Sequence, residues 1–289
     1  MRPITIPIRN AMSEPEEAVE FMPMPREMTT FEMPRPPTPG PGADVEGARD
    51  VLQLFVEHLQ RWLQQGGELP ALDLVGLPPA TLKVINESLG EGEVAAIVDT
   101  GGDEVRVQET VFSGVWRQQH FSPDGQLLHD LLLGAPIPPL LQLLAQERSS
   151  SALRRLPLPA GAMNVPALVH ELQEAVLTSV ELGAAAPPHV FNLTLLPLTP
   201  EDSGHLDALL DGGAVVILSR GFGNCRISST AVRNVWRVQY FNNMQTLILN
   251  TLEITEMPEV AVAAQEDLAE SAGRLAELLQ WLSDSLAEA

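Results

Sequence analysis

"VFSGVWRQQHF" (residues 111–121) and "AVRNVWRVQYF" (residues 231–241) put two of the chain's four tryptophans in one local phrase, 120 residues apart. Each phrase alternates apolar and polar residues as a strand does. The indole then faces one side of a sheet, and its flankers Val115/Arg117 and Val235/Arg237 face the other.

The surroundings echo as well. Upstream of the first phrase, "LDLVGLPPATLKVINESLGEGEVAAIV" reads as a short strand, a helix opening at Pro78-Pro79, a glycine stop and a strand. Upstream of the second, "HVFNLTLLPLTPEDSGHLDALLDGGAVVILS" repeats that order, and Thr199-Pro200-Glu201-Asp202 has the form of a capped helix start. "EVRVQETVFSGVWRQQHF" is one long strand region, "GQLLHDLLLGA" a further strand, and Pro136–Gln146 a helix. Pro138 and Pro258 share the offset of 120. A helix precedes each run. Val51, Leu52, Phe55, Leu59 and Leu63 space one helix; Asn164 as N-cap and Pro166 in the first turn open the other.

Glu266–Ala289 is a long amphipathic helix with leucines along one side. The expected fold is therefore α+β, built from two pseudo-symmetric copies of a helix–strand–helix–three-strand–helix unit. The copies span residues 47–160 and 161–289 and are expected to pack face to face.

Residues 1–46 differ in kind. They hold 10 of the 25 prolines and six of the nine methionines. Proline at this density removes backbone donors, so an extended, disordered arm is expected. Met22, Met24, Met28 and Met33 suit a flexible apolar docking motif better than a copper site.

Composition narrows the function classes. A net charge of −21 repels nucleic acid and anionic lipid and attracts basic segments. No run is long and apolar enough for a membrane helix, and the N-terminus lacks a secretory h-region, so a cytoplasmic protein is expected. Cys225 is the single cysteine, which excludes an intrachain disulfide. The six histidines show no metal-ligand spacing, and neither a metal nor another cofactor is expected.

Candidate catalytic groups fail one by one. The glycines of "LGEGEV" and "LDGGAV" end helices, the reverse of a phosphate loop. Gly101-Gly102 and Gly221/Gly223 sit between strands as hairpin glycines. Glu91/Glu93 and Asp103/Glu104 are turn charges with nothing to orient them. Ser203, His205 and Asp207 list a triad but project in different directions from one helix. Cys225 beside Arg226 could be activated, yet its phrase holds no histidine. An interaction protein is expected, with no catalytic residue. Its candidate contact residues are Met22, Met24, Arg26, Met28 and Phe31 in the arm, and Trp116, Arg117, Trp236 and Arg237 in the body. Trp and Arg are enriched in binding hot spots, but the first expectation for each indole is that it anchors the core of its own half.

The assembled phrases resemble the HupH/HyaF family of [NiFe]-hydrogenase expression proteins. The resemblance is carried by "FMPMPREMTTF", "LGEGEV…VQETVFSGVWR", "HVFNLTLLPLTPED" and "GFGNCRISSTAVRNVWRV…LEITEMPEVAVAAQEDLAES". One departure is "AMSEPEE", which stands where the family has a "GPGSQP"-like phrase. The resemblance implies a non-catalytic maturation chaperone. Its implied partners are the iron–sulfur small-subunit precursor before export, or the large subunit, together with other maturation accessory proteins. The alternative it implies is assistance in inserting nickel or iron into the large subunit.

Overall fold

The computed structural model describes residues 42–221 and 223–287. Residues 1–41 of the expected arm, including Met22, Met24, Arg26, Met28 and Phe31, lie outside the described residues; its last two, Val45 and Glu46, belong instead to the first turn of α1, which Asp44 caps.

The described residues begin with α1 (Val45–Gln65), β1 (Ala71–Asp73) and α2 (Pro79–Leu89). Four strands follow: β2 (Val94–Asp99), β3 (Glu104–Glu109), β4 (Val115–Phe121) and β5 (Leu127–Gly134). After α3 (Pro139–Glu147) come α4 (Val165–Leu182), β6 (His189–Asn192) and α5 (Pro200–Leu210). Four more strands are β7 (Val215–Ser219), β8 (Asn224–Ser229), β9 (Val235–Phe241) and β10 (Leu247–Ile254). One 3₁₀ turn, Glu259–Ala261, precedes α6 (Gln265–Ala287).

The expected long strand regions are each two strands, so each run has four strands and not three. The break falls at Thr110–Gly114 and again at Thr230–Asn234. The Thr110 N–H donates to the Val115 carbonyl at 2.8 Å, and the Thr230 N–H to the Val235 carbonyl at 3.2 Å. Each turn needs a left-handed residue, supplied by Gly114 at φ 75° and Asn234 at φ 59°. A serine–glycine or arginine–asparagine pair inside an apolar run gives only a faint turn signal.

All ten strands join one antiparallel sheet in the order β1-β5-β4-β3-β2-β7-β8-β9-β10-β6. The two runs therefore meet edge to edge and not face to face. β2 and β7 pair at the centre, with Ala96 opposite Ile217 and Ile97 opposite Val216. Pairing satisfies the N–H and C=O groups that a face-to-face pair would leave along two exposed edges.

Alternation sorts the side chains. On one face, Ala96, Val98, Val105, Val107, Ile217 and Ile227 form a single core with Leu141 and Ala145 of α3. On the other face lie two separate cores. One gathers α1, α2 and α6, with Leu52, Phe55 and Leu59 against Leu275, Leu279 and Leu282. The other gathers α4 and α5, with Leu168, Leu172 and Val176 near Leu206 and Leu210. The helix α6 thus covers α1.

Helix ends show how sequence signals were used. Thr199 and Asp202 form a reciprocal capping box on α5. Asn164 precedes α4 but makes no side-chain cap bond. The Asp202 carboxylate does that job from α5, accepting the N–H groups of Met163 and Val165 at 2.8 and 3.1 Å and that of Asn164. Burial pushes this carboxyl up, but the N–H bonds from Thr199, Val165, Asn164 and Met163 outweigh it and hold the group far below the usual range. Gly90 ends α2 at φ 55°, whereas α5 ends on Asp211 at φ 48°, ahead of the glycine pair.

Candidate functional site

Trp116 and Trp236 are each 1% exposed and belong to the same core. The expectation that each indole anchors its own half is corrected: one apolar layer runs across the β2–β7 seam and takes both. Trp116 Nε1 donates to the Ala135 carbonyl at 2.9 Å. Val115 and Val235 point the opposite way, into the two helix-covered cores.

The neighbouring arginines share that opposite face, so indole and guanidinium lie on different sides of the sheet. Arg117 meets Asp130 of β5 through Nε and Nη2, both at 2.5 Å, and Asn86 of α2 through Nη1 at 2.7 Å. Arg237 meets Asp207 of α5 through Nη2 at 2.5 Å. Position 250, which lies 120 residues after Asp130, is an asparagine whose buried Oδ1 has no hydrogen-bond partner. Carboxylate and amide have changed places: strand Asp and helix Asn around Arg117, helix Asp and strand Asn around Arg237.

Cys225 is 1% exposed in the Trp-lined core. Burial pushes its thiol up to about 11, against a hydrogen bond with Tyr240 that pulls it down. Alternation sends the Arg226 side chain to the other face, away from the sulfur. A buried thiol with a raised pKa is a poor nucleophile.

One titratable group escaped the sequence reading. Burial pushes Glu109 up to about 7, although it accepts the Gly114 N–H at 3.0 Å and faces the Ser113 hydroxyl at 3.4 Å. Nothing in "VQETVFSG" separates this glutamate from solvated ones; its burial follows from α6 lying over the turn. Leu268 of α6 occupies the space where Gly114 would carry a Cβ. Among the described residues, no group of three or more His, Cys, Asp or Glu side chains could hold a metal ion. No described helix is long and apolar enough to cross a membrane.

The family described as "HupH hydrogenase expression protein, C-terminal conserved region" matches this chain twice, over residues 45–156 and 162–282. The chain belongs to that family. The hydrogenase expression/formation protein HupQ of Azotobacter chroococcum mcd 1 is 41% identical over 271 residues, covering 92% of this chain and 93% of that protein. HoxQ of Cupriavidus necator, also named a hydrogenase expression/formation protein, is 39% identical over 282 residues, 97% of this chain and 98% of its own. The hydrogenase-1 operon protein HyaF of Escherichia coli is 36% identical over 221 residues, 76% of this chain and 75% of its own. A solved HupH expression protein from Thiobacillus denitrificans aligns with 42% of this chain and 96% of its own, at 28% identity and a TM-score of 0.36.

Proposed function

We propose that this family member is a non-catalytic accessory protein of hydrogenase maturation that binds the iron–sulfur small-subunit precursor in the cytoplasm before export. The observation that carries the reading is family membership over nearly the whole chain, with relatives named for hydrogenase expression and formation. The arm residues Met22, Met24, Arg26, Met28 and Phe31 contribute apolar and cationic contacts to the client. In the body Arg117 and Arg237 contribute from the strand face, held in place by Asp130 with Asn86 and by Asp207. Trp116 and Trp236 are buried under the opposite face and stiffen the sheet without touching the client.

The body itself is two copies of one unit, the expected 47–160, extended back to the start of α1 at Val45, and 161–289, behind the arm. Support comes from the double family match and from strand registers that repeat at the 120-residue offset: Val115–Phe121 pairs with β5 as Val235–Phe241 pairs with β10.

The test is co-purification of the tagged full chain with small-subunit and large-subunit precursors from a hydrogenase-expressing cell. Capture of the small-subunit precursor in its unprocessed form is the expected result. Capture of the large subunit alone would replace the client with the large subunit. Recovery of neither above background would sink the proposal.

A further inference from the structure

Glu109 closes β3 on the face of Val105 and Val107 and is 8% exposed. Its carboxyl accepts the Gly114 N–H at 3.0 Å and faces the Ser113 hydroxyl at 3.4 Å, both in the turn that follows. The second run of strands builds the same turn without a carboxyl. Ser229 stands 120 residues on, and its hydroxyl accepts the Val215 N–H at 2.9 Å and donates to the Val215 carbonyl at 3.3 Å. Thr230 and Asn234 then complete that turn as Thr110 and Gly114 complete the first. A buried titratable group at position 109 is not a requirement of the fold.

The two turns differ in what rests on them. Ser150 lies against the second turn, with one backbone bond to the Ala231 carbonyl and one from the Arg233 N–H, each at 2.9 Å. The first turn carries the opening turns of α6. Leu268 fills the space where Gly114 has no Cβ, and the Arg274 guanidinium lies 5.2 Å from the centre of the Phe112 ring. Just ahead of the helix, the Ala263 N–H donates to the Pro136 carbonyl at 2.9 Å and ties the chain down. Further along, Leu275, Leu279 and Leu282 hold α6 on α1.

The charged groups that face Glu109 have its own sign. Glu93 comes from the turn before β2, and Asp267 from the first turn of α6. The Arg274 side chain is engaged on the Phe112 ring. Burial first, and then Glu93 and Asp267, push the Glu109 carboxyl up to about 7, against the pull of its bonds to Gly114 and Ser113. A proton on Glu109 removes the repulsion across the contact with α6. Its loss sets three carboxylates around that contact.

We infer that Glu109 is the proton-controlled catch of a latch formed by the first two turns of α6. While protonated, Glu109 lets Leu268 seat on the Gly114 turn. Once ionised, it releases those turns to swing from the tie at Ala263, uncovering Phe112 and Gly114 while the later leucines keep the rest of α6 on α1. The closed latch holds the proton more tightly than the open one. Its share of the closed state's stability is complete below about pH 4.5 and is lost as pH rises through about 7. With an ordinary carboxyl in the open state, opening is about tenfold more frequent at pH 8 than at pH 6. The latch is independent of which client the protein binds.

The test is amide hydrogen exchange of the full chain at pH 6 and pH 8, each rate divided by the intrinsic rate of that amide at the same pH. Protection of the Leu268–Ala272 amides is expected to fall about tenfold between the two, and to lie well below that of Ile217 at the sheet centre. Glu109→Gln keeps an oxygen for the Gly114 N–H, and there the fall is expected to shrink to less than about twofold. Asp267→Lys, at an exposed position, sets a cation across from Glu109 and is expected to shrink the fall too.

Equal protection at Leu268 and Ile217 overturns the latch, because α6 then opens only when the whole chain unfolds. A fall that Glu109→Gln leaves unchanged overturns it as well, and so does the absence of a fall in the wild type. If Glu109→Gln does not fold, Glu109→Ser takes its place with the residue the second run uses there. A fall undiminished by Asp267→Lys shows that α6 does not sense the carboxyl and also overturns the latch.

Discussion

Arg117 grips Asp130 with two bonds of 2.5 Å across adjacent strands, and Asp130 is only 3% exposed. The Asp207 side chain that serves Arg237 is 58% exposed. The two pairs therefore differ in worth. A buried pair that loses one partner strands the other charge, at about 3–5 kcal/mol, whereas an exposed pair contributes about 1 kcal/mol or less.

Asp130→Ala is expected to destabilise the body by about 3 kcal/mol, and Asp207→Ala by less than about 1 kcal/mol, in urea unfolding. The exchange of Asp and Asn between the two arginines supplies a sharper test. Asn86→Asp added to Asp130→Asn recreates around Arg117 the arrangement found around Arg237. It should recover part of the stability lost by Asp130→Asn alone. A double variant no more stable than the single one would show that the strand carboxylate is irreplaceable.

Glu109 gives a pH dependence of defined sign. Its folded value of about 7 lies above the ordinary 4.5, so the folded state holds a proton that the unfolded chain has released. Its contribution is fully present below about pH 4.5 and is lost as pH rises through about 7. The total loss is on the order of 3 kcal/mol. Glu109→Gln keeps an acceptor for the Gly114 N–H and removes the titration. Unfolding free energies at pH 5 and pH 8 should differ more in the wild type than in the variant. Parallel curves would contradict the buried neutral carboxyl.

Cys225 should resist a chromogenic disulfide reagent in native protein at pH 8 and react fully after denaturation. A Cys225→Ser strain should keep its hydrogenase activity. Rapid labelling of native protein, or loss of activity with the protein still folded, would return a thiol role to consideration.

Removal of the arm must stop short of α1, which begins at Val45 and is capped by Asp44. Asp44 accepts the Gly47 N–H at 3.0 Å and the Thr81 hydroxyl at 2.5 Å, tying α1 to α2. A chain lacking residues 1–41 is expected to unfold at the same temperature as the full chain and to capture less precursor. Unchanged capture would reduce the arm to a passive tail.

Local pattern announced a good deal of this. Alternation in "VWRQQHF" and "VWRVQYF" already put Trp and Arg on opposite faces, and prolines marked where α2, α3 and α5 begin. The left-handed turns at Gly114 and Asn234 fell inside runs that read as continuous strand, and Asp211 took the same conformation ahead of its glycine pair. Asn164 does stand at the N-cap position of α4, but the carboxylate that caps the helix comes from Asp202, 38 positions away in sequence, and no local pattern shows it.

By itself, then, the sequence determined where most helices and strands lie and the face each strand side chain takes, though not the turns that split each long strand region in two. These depend on period and on steric preferences within a few residues. Tertiary structure alone decided that β2 and β7 join the two runs edge to edge, that both indoles share one core, and that α6 crosses back onto α1. Strand edges carry the same N–H and C=O groups whatever the side chains are, so which edges pair depends on total burial. That total is a property of the assembled chain and of no single stretch within it.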